Sequence, residues 1–555
     1  MTELAETLHT SLDETARRLP DTPVEFRLDR SERRQLTARE LVDRSRTGAA
    51  ALLAAGARPA DRVGLLCLNE PDFLVGLFSA VRLGCAVCPL PLPTGLRDID
   101  GYLARIGRVA EVAGMSHLVL SASFDRFADA LCAALPGVTV VPADALAAGS
   151  GDVQLPVVAP DAPAIVQFTS GSTAAPKGVV LSHRNVLACV EAMCLAIEVG
   201  PRDSYGMWLP LFHDMGLFST LGAVYSGIPA MLWQPTAFVK KPGQWLREFA
   251  ESRATISAGP NFGYDYLTAA VSDEEAAEMD LRHWRVAFNG AETIRHSSVS
   301  AFLRRFAHAG LREGTLMSVY GLAEATLSVT FPPLGRAPRW DWVDRDRLAG
   351  QGLAVPARPG LRGTRAVASV GRPVKGMEVL VAEPGSTVPL PDATVGEIHI
   401  RGASVTSGYL TADGDSGAAT EDGWLPTGDL GYWRDGELHI TGRHKEMITV
   451  RGANFYPQDV EDLAQSVPGV YKQRCVAYVD GAADGDERIV LAAESGMADE
   501  NACRELEREL RRRIVAELGL EAVTVHVVAP RTLPRTTSGK FQRLAAKDAL
   551  AAASA

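Results

Sequence analysis

The sequence predicts an α/β protein with a large N-terminal domain of parallel-rich sheets and packed helices, a β-rich subdomain, and a small α+β C-terminal domain. Three observations support this fold class. Buried-strand patterns alternate with helical patterns as far as Ala309, short alternating strands joined by glycine-containing turns begin at Gly371, and a compact mixture of both patterns follows Arg443. We therefore predict a domain boundary near residues 441–446.

The N-terminal part repeats an order of strand, helix and strand. Arg62–Leu68 has the pattern of a short buried strand, Pro71–Leu83 follows with helical spacing, and Ala86–Leu92 is another apolar run. The same order recurs in the segments Ala164–Phe168, Arg184–Ala196, Arg285–Phe288 and Ser297–Ala309. This succession predicts a parallel sheet with helices on its faces, because parallel strands need a crossover connection.

The later part of the chain has a different texture. Phe331 to Arg365 combines prolines, glycines and arginines with little periodicity, which predicts an ordered insertion or a long loop. Glu397–Arg401 and Glu437–Thr441 have the pattern of short strands. Further strands and one helix are predicted at Cys475–Val479, Ile489–Ala493, Ala502–Leu518 (the helix) and Val523–Val528.

Composition excludes several classes of protein. The 555 residues are 46% hydrophobic and 22% charged, which excludes a disordered or collagen-like chain. A net charge of −11 argues against nucleic acid and anionic membranes as main partners. No segment reaches the roughly 18 uncharged apolar residues of a membrane span, and Met1–Pro20 lacks the apolar segment of a secretory signal. We therefore expect a soluble, cytoplasmic protein.

The eight cysteines predict neither a disulfide scaffold nor a zinc site. They are too sparse for a disulfide scaffold, and Cys85 and Cys88 have no second cysteine pair to complete a zinc site. We interpret all eight as reduced packing residues.

The segment Gln167-Phe-Thr-Ser-Gly-Ser-Thr-Ala-Ala-Pro-Lys-Gly-Val179 lies between a predicted strand and a predicted helix. Its glycines, hydroxyl groups and lysine supply the backbone N–H groups, donors and cation that can cradle a polyphosphate. It is not a Walker loop, because the lysine follows Pro176 and the required spacing fails. Ser172 also lacks the flanking glycines of a hydrolase nucleophile. Taken alone, the segment is compatible with a polar surface loop.

A second motif, Tyr320-Gly-Leu-Ala-Glu-Ala-Thr326, follows a probable strand. It places an aromatic ring, a close-approach glycine and a carboxylate at a strand end, where open α/β sheets bind ligands. The Glu324 carboxylate could hold Mg²⁺ on phosphate oxygens. The alternative is an ordinary exposed glutamate beside a core tyrosine.

Six blocks of sequence, taken in order, resemble the adenylate-forming superfamily of acyl-CoA synthetases, peptide-synthetase adenylation domains and luciferases. The blocks are Thr169–Gly178, Asn289–Glu292, Tyr320–Thr326, Thr427–Gly431, Gly442–Ile448 and Ser538–Lys540. The resemblance covers essentially the whole chain. It implies an N-terminal adenylation domain at residues 1–441, a hinge at 442–446 and a small, mobile C-terminal lid domain at 447–555.

The resemblance also implies a role for each residue that matches a motif. The phosphate loop would consist of Thr169, Ser170, Gly171, Ser172, Thr173 and Lys177. Gly290, Ala291 and Glu292 would flank adenine, with Tyr320 against its face and Gly321 and Ala323 beside it. The ribose would bind Asp429, whose carboxylate can accept two O–H donors, with support from Arg443. Lys445 occupies the hinge position.

The resemblance implies that Lys540, in the lid domain, is a catalytic residue. Its side chain would reach the carboxylate and the α-phosphate, where a point cation stabilises the charge that builds as two anions meet. Without the resemblance, we would interpret Lys540 as part of a solvated tail and Asp429 as an ordinary turn residue.

Several features are similar to the fatty acyl-AMP ligase branch of the superfamily. They are the histidine motif Leu211–Leu217, the segment Ala258–Phe262, and Ala323 where CoA ligases usually have threonine. The resemblance implies that the irregular stretch at about 331–370 is the insertion of this branch, which holds the domains in an arrangement unfavourable for CoA. A loop of variable length is the alternative.

The resemblance also implies an apolar acyl pocket. It would be built from Met207, Phe212, Met215, Gly216, Gly259, Asn289 and Ser318. His213 would lie between the carboxylate and this pocket, and the alternative for it is a satisfied core histidine. Because no isolated lysine or aspartate is placed to bind an amino acid, a wholly apolar or aromatic acid is favoured.

These features predict a ligase that condenses a carboxylic acid with ATP and Mg²⁺ to an acyl-adenylate and releases pyrophosphate. The acyl group would pass to the phosphopantetheine thiol of an acyl carrier protein in trans, in lipid metabolism or natural product biosynthesis. The alternatives are a CoA ligase of acyl or aryl acids, an enzyme whose adenylate reacts with a non-thiol nucleophile, and a non-catalytic relative that senses a ligand. The presence of Lys177, Glu324, Asp429, Arg443 and Lys540 together argues against the last.

Overall fold

The computed structural model describes residues 5–29, 31–93, 99–149, 153–169, 176–418, 422–450, 453–480, 488–519, 523–535 and 541–554. The chain forms two compact units. The first comprises Met1–Pro338, Val370–Val379 and Ile400–Leu425, and the second comprises Arg339–Ser369, Leu380–His399 and Pro426–Ala555.

The strands of the described residues, in chain order, are β1 Pro23–Arg27, β2 Arg33–Thr37, β3 Arg62–Leu66, β4 Ala86–Pro89, β5 His117–Leu120, β6 Thr139–Pro142, β7 Pro163–Thr169, β8 Lys177–Ser182, β9 Tyr205–Met207, β10 Ala230–Trp233, β11 Ile256–Pro260, β12 Val286–Gly290, β13 Leu316–Ser318, β14 Tyr320–Gly321, β15 Ser328–Phe331, β16 Trp340–Asp344, β17 Thr364–Ala368, β18 Arg372–Pro373, β19 Met377–Ala382, β20 Gly396–Gly402, β21 Gly408–Thr411, β22 Gly414–Gly417, β23 Leu425–Arg434, β24 Glu437–Arg443, β25 Ile448–Val450, β26 Ala453–Phe455, β27 Cys475–Asp480, β28 Arg488–Glu494 and β29 Val523–Val528.

The α-helices of the same residues are α1 Leu8–Arg18, α2 Ala38–Ala54, α3 Pro71–Arg82, α4 Ile99–Ala113, α5 Ala128–Ala134, α6 His183–Ala196, α7 Asp214–Ser226, α8 Pro235–Lys240, α9 Pro242–Ser252, α10 Asn261–Ala270, α11 Asp273–Ala277, α12 His296–Phe306, α13 Arg345–Gln351, α14 Pro457–Gln465, α15 Glu500–Leu518 and α16 Arg543–Ser554.

The first unit contains two large sheets and one small sheet. The larger has eight strands in the order β22-β21-β8-β7-β4-β3-β5-β6, and the other has seven in the order β13-β12-β11-β9-β10-β1-β2. The small sheet has the order β14-β15-β18. Strand β3 is almost completely buried, and α3 exposes little but Asp72 because apolar residues cover most of its faces. Pro71 occupies the first position of the helix, where no N–H donor is needed.

The predicted fold class is confirmed, with one local difference. Strands β3 and β4 are parallel and α3 connects them, as the sequence predicts. The sequence places the segment Gln167–Val179 between a strand and a helix and assigns no structure to the residues from there to Arg184. In the structure, β8 lies between the loop and α6 and pairs antiparallel with β7. Its apolar run Val179-Val180-Leu181 is too short to distinguish a strand from a helix by its pattern.

Four neighbouring strands of the seven-stranded sheet position the site. Strands β13, β12, β11 and β9 are all parallel, so their carboxyl ends lie at one edge. In open α/β sheets this edge is where ligands bind. The predicted pocket residues Met207, Gly259, Asn289 and Ser318 all lie at or near those strand ends.

The second unit contains most of a four-stranded sheet, two hairpins and a three-stranded sheet. The four-stranded sheet has the order β19-β20-β23-β24, and the three-stranded sheet has the order β27-β28-β29. Helices α14 and α15 pack on the latter through buried side chains that include Val460, Leu506, Leu510 and Ile514. The mixed α+β texture that the sequence predicts beyond Arg443 is therefore confirmed.

The irregular stretch between Phe331 and Arg365 contains regular structure. Strands β16 and β17 form a hairpin, with α13 between them, and Val343, Leu348 and Val367 are buried in one cluster. None of the helices in the described ranges is both long and apolar enough to cross a membrane.

Candidate active site

The predicted phosphate loop begins and ends on paired strands. Thr169 is the last residue of β7, Lys177 is the first residue of β8, and the two are register partners. The intervening predicted residues Ser170, Gly171, Ser172 and Thr173 lie outside the described residues. The Lys177 ammonium lies over the ring of Tyr409, with Nζ 3.3 Å from the ring centroid. A cation held this way on an aromatic face is positioned before any ligand arrives.

Glu324 lies on a short 3-10 turn, Ala323–Ala325, directly after β14. Its backbone carbonyl accepts a hydrogen bond from the Thr406 N–H at 2.8 Å, and its Oε1 accepts one from the Tyr409 hydroxyl at 3.4 Å. Thr326, whose φ is +65°, donates through Oγ1 to the Ser404 carbonyl. The turn that carries Glu324 is therefore tied to the segment that leads into β21.

The close-approach glycine of this motif is required by its backbone neighbours. A Cβ at Gly321 would lie 1.8 Å from the Leu327 carbonyl oxygen, far inside van der Waals contact. Tyr320 and Ala323 are buried on either side of it. The glycine therefore lets β14 and the returning chain approach closely beside Glu324.

The three residues that the resemblance assigns to adenine follow β12. Gly290 ends the strand, and a Cβ there would lie 2.9 Å from the Val319 carbonyl oxygen. Ala291 has φ +66°, a left-handed conformation that non-glycine residues rarely adopt. Glu292 accepts a hydrogen bond from the Phe262 N–H at 2.6 Å. Backbone strain of this kind is retained where the surrounding contacts fix it, and such positions cluster at ligand sites.

Three of the predicted pocket residues form one row across neighbouring strands. Gly259 pairs with Asn289, and Asn289 pairs with Ser318. Asn289 and Ser318 are fully buried, and Asn289 Oδ1 and Ser318 Oγ have no hydrogen-bond partner within the described part of the chain. Unpaired buried polar atoms are uncommon and costly, so these two are candidates to contact a substrate.

The histidine motif is held by buried polar side chains. His213 is the N-cap of α7, and its Nδ1 lies 2.6 Å from the Asp214 carboxylate. Asn69 accepts the Leu211 N–H, and Gln167 donates to the Phe212 carbonyl, both within 3.0 Å. The loop that bears His213 is thus fixed to the strand that precedes the phosphate loop.

The remaining residues of the predicted pocket are also packed around this loop. Met207, Phe212 and Met215 are buried. A Cβ at Gly216 would lie 2.3 Å from the Pro210 carbonyl oxygen, so the start of α7 packs directly on the loop.

Aromatic side chains fill the apolar end of this region. Trp208 stacks on Phe238 with ring centroids 3.7 Å apart, and a Cβ at Gly259 would lie 3.5 Å from Trp208. A small cavity of about 10 Å³ is lined by Trp208, Phe238, Trp245, Ser257, Ala258, Gly259, Gly263, Tyr264, Leu267 and Trp284. This is room for about one water molecule, so the aromatic side chains nearly fill the space. The aromatic and apolar lining suits the predicted class of acid.

The residues predicted to bind ribose and to form the hinge belong to the second unit. Asp429 on β23 and Arg443 on β24 are register partners, and Arg443 Nε donates to Asp429 Oδ1 at 2.8 Å. Lys445 is exposed on the short turn His444–Glu446. Lys540 lies outside the described residues.

Sequence reasoning missed two residues that organise the site. Tyr409 contacts both Lys177 and Glu324, and Asn69 accepts the Leu211 N–H of the histidine motif. Each is a single residue in an ordinary apolar or loop context, so no local pattern marks it. Asn69 was detectable in principle, because a polar residue at the end of a buried strand often lies at a ligand edge.

Comparisons with known proteins identify the family of the chain. Residues 12–410 match the model of the AMP-binding enzyme family, and residues 452–547 match that of the AMP-binding enzyme C-terminal domain. A 4-hydroxyphenylalkanoate adenylyltransferase of Mycobacterium tuberculosis is 35% identical, with 87% of this chain and 81% of that protein covered. The medium-chain-fatty-acid (acyl-carrier-protein) ligase TtuA of Teredinibacter turnerae is 31% identical, with 83% and 71% covered. A solved structure from a study of fatty acyl-adenylate ligases from E. coli and L. pneumophila has a TM-score of 0.91 and 31% identity, and 99% of both chains is covered.

Proposed function

Since the chain belongs to the AMP-binding enzyme family and is an AMP-forming acid ligase most similar to fatty acyl-AMP ligases, we propose that it loads a fatty or other apolar acid, through an acyl-adenylate, onto a separate acyl carrier protein. The observation that carries the first step is the convergence of Glu324 and Lys177 on Tyr409. A carboxylate and an ammonium fixed on one ring are the groups that a metal-bound polyphosphate needs.

In the first step, a carboxylate oxygen of the acid attacks the α-phosphorus of ATP, the bond from this phosphorus to the bridging oxygen breaks, and pyrophosphate leaves. Lys177 supplies a cation for the departing phosphates. We assign to Lys540 the role of a point cation between the attacking carboxylate and the α-phosphate, where negative charge builds. The buried Asn289 and Ser318 are available to contact the acyl-phosphate end of the intermediate.

The single carboxylate of Glu324 fits a magnesium ion. Mg²⁺ usually binds one or two carboxylates together with substrate phosphates, rather than a cage of protein ligands. Bound there, the ion would neutralise charge on the phosphate oxygens.

Asp429 and Arg443 suit the ribose. A carboxylate can accept both hydroxyl donors of the sugar, and the Arg443 guanidinium fixes one of its oxygens at 2.8 Å. We assign this pair to nucleotide orientation rather than to bond breaking.

In the second step, a phosphopantetheine thiolate attacks the acyl carbon, the bond to the AMP oxygen breaks, and AMP leaves. The similarity to TtuA, which is named as an acyl-carrier-protein ligase, supports a carrier as the acceptor. A rotation of the lid domain at Lys445 would exchange Lys540 for the incoming thiol.

The test is acid-dependent release of pyrophosphate from ATP across a panel of aliphatic and aromatic acids. The wild-type protein is expected to release it with apolar acids, and Lys540→Ala to lose most of this activity while it still binds nucleotide. Mass detection of the loaded thiol, with a holo-carrier and CoA offered separately, then identifies the acceptor. Loading of CoA alone would make the protein a CoA ligase, and release of free adenylate without any thioester would point to a non-thiol nucleophile.

A further inference from the structure

Tyr409 is the residue through which two parts of the proposed ATP site meet. It lies on β21, and its register partner on β8 is Val179. Lys177 is two residues before Val179 on the same strand, so its side chain lies on the same face of the sheet as the Tyr409 ring. This register explains how the Lys177 ammonium reaches the ring face at 3.3 Å.

The hydroxyl end of Tyr409 has a different neighbour. It donates to Glu324 Oε1 at 3.4 Å, and backbone contacts hold the two chain segments together. The Thr406 N–H donates to the Glu324 carbonyl, and Thr406 Oγ1 donates to the Val180 carbonyl. Three elements are thereby linked, namely the turn with Glu324, strand β21 and strand β8.

The environment of the ring strengthens both contacts. Tyr409 is only 8% exposed, and burial together with the Glu324 carboxylate raises the pKa of its hydroxyl. The phenol is therefore a neutral donor throughout the physiological range. In a partly desolvated site, hydrogen bonds and cation–π contacts are stronger than at an exposed surface.

We propose that Tyr409 is a positioning residue of the ATP site, whose hydroxyl orients the Glu324 carboxylate for a divalent cation and whose ring face holds the Lys177 ammonium for the phosphates. The inference rests on the proposed function. The ring face fixes the position of a flexible lysine, and the hydroxyl fixes that of the carboxylate. The hydroxyl of Tyr409 then serves the binding of the cation, and its ring serves the binding of the phosphates.

The test uses two substitutions that separate the two ends. Tyr409→Phe removes the hydroxyl and keeps the ring, whereas Tyr409→Leu removes both. The dissociation constant of ATP is measured by titration calorimetry on the full-length protein, once with Mg²⁺ and once with EDTA. The ratio of the two constants reports the contribution of the cation independently of turnover.

For Tyr409→Phe, we expect the dissociation constant in EDTA to stay within about twofold of wild type, and the Mg²⁺ enhancement to fall by about 2- to 10-fold, the range for one lost hydrogen bond. For Tyr409→Leu, we expect the constant in EDTA also to rise by about 3- to 30-fold, because the cation–π contact is lost.

Tyr102 provides the matched control. It is also buried, its hydroxyl donates to the Pro91 carbonyl, and Arg105 lies over its ring at 5.6 Å. Tyr102→Phe and Tyr102→Leu remove the same groups from a position with no assigned role in the site. They are expected to leave both ATP dissociation constants unchanged.

The outcomes separate this inference from the proposed function. A wild-type protein that binds no ATP would overturn the proposed function itself. Wild-type binding with an unaltered Mg²⁺ enhancement in Tyr409→Phe would overturn only the role of Tyr409, as would an equal weakening with and without Mg²⁺. If Tyr409→Leu does not fold, the nearly isosteric Tyr409→Phe still decides between these outcomes, since circular dichroism can verify that it is folded.

Discussion

The docking of helix α1 on α6 should weaken as the pH falls from 7 to 5. His183, the first residue of α6, is fully buried and accepts a hydrogen bond from the Leu8 N–H through Nδ1. Burial, with a smaller effect of the nearby His9, lowers the pKa of His183 to about 3. Burial and then Arg82 lower the pKa of His9 to about 4. Both imidazoles are therefore neutral in the docked state.

The direction and the size of the pH effect on α1 docking follow from these pKa values. When α1 opens, each exposed histidine regains a pKa of about 6.5 and takes up a proton at pH 5. The stability that each contributes is fully present above pH 6.5 and is lost as the pH falls below it. For His183 the loss at pH 5 is about 1.4 kcal/mol for each of roughly 1.5 pH units, or about 2 kcal/mol. His9 is partly exposed, so its contribution is smaller.

Hydrogen exchange measured by mass spectrometry on α1 peptides checks this prediction. After correction for the intrinsic exchange rate, the opening of α1 should increase by about 30-fold between pH 7 and pH 5. In His183→Asn the amide oxygen can still accept the Leu8 N–H, but it does not titrate, so most of this pH dependence should vanish. His308→Asn, at an exposed position, is the control and should keep it. Equal protection of α1 at both pH values in the wild-type protein would refute the reasoning.

Three further substitutions test other parts of the structure. Gly321→Ala should lower kcat/KM for acid-dependent pyrophosphate release at least about tenfold, because its Cβ would lie 1.8 Å from the Leu327 carbonyl oxygen. Gly350→Ala, with no atom within 4 Å of its Cβ, is its control, and equal activity of the two variants would contradict the steric argument. Asp429→Asn should raise the KM for ATP about tenfold by weakening its charge-assisted bonds, and an unchanged KM in a steady-state assay would remove Asp429 from the ribose site. Arg543→Met should destabilise the protein by about 3–5 kcal/mol, since Glu446 and Glu461 lose the guanidinium that binds both. Its thermal unfolding midpoint should rise again when Glu461→Gln is added, and no recovery in the double variant would count against this explanation.

The repeated strand and helix order allowed most of the N-terminal fold to be predicted. Each buried strand has an uninterrupted apolar run, and Pro71 marks where a helix starts, so Arg62–Leu66 and Pro71–Arg82 were clear from period and length. Strand β8 was not clear, because its uninterrupted apolar run, Val179–Leu181, has only three residues. The hairpin β16–β17 was hidden for another reason: only Val343, Val367 and Ala368 of its ten residues are buried, so it lacks the usual alternation.

In the candidate site, too, some residues could be predicted from the sequence and others could not. Glycines such as Gly290 and Gly321 and the paired Asp429 and Arg443 belong to motifs, and the structure accounts for the glycines by close backbone approach. Tyr409 could not be predicted, because its role depends on which strands become neighbours rather than on local sequence. A pairing of β21 with β8 joins residues more than 200 positions apart, and no spacing rule in the chain encodes it.

The ion pairs of the second unit bear on the rotation that we propose at Lys445. Asp429 and Arg443 both precede this residue, whereas Glu446, Glu461 and Arg543 all follow it, so a rotation there would break neither set. Their geometry can therefore persist through both half-reactions.

Arg365 is different, because its contacts lie on both sides of Lys445. It donates to the Thr441 carbonyl at 2.6 Å, but it also pairs with Asp459 at 3.4 Å and lies over the Tyr456 ring at 4.4 Å. The Arg365 side chain is 10% exposed and that of Asp459 is 6% exposed, and separating a buried pair leaves two charges without partners. A lid rotation must either break these contacts or carry Arg365 and its strand along. In the rotation that we propose, part of the cost thus lies in the contacts of Arg365 on β17, so the hairpin β16–β17 would influence the step in which a thiol meets the adenylate.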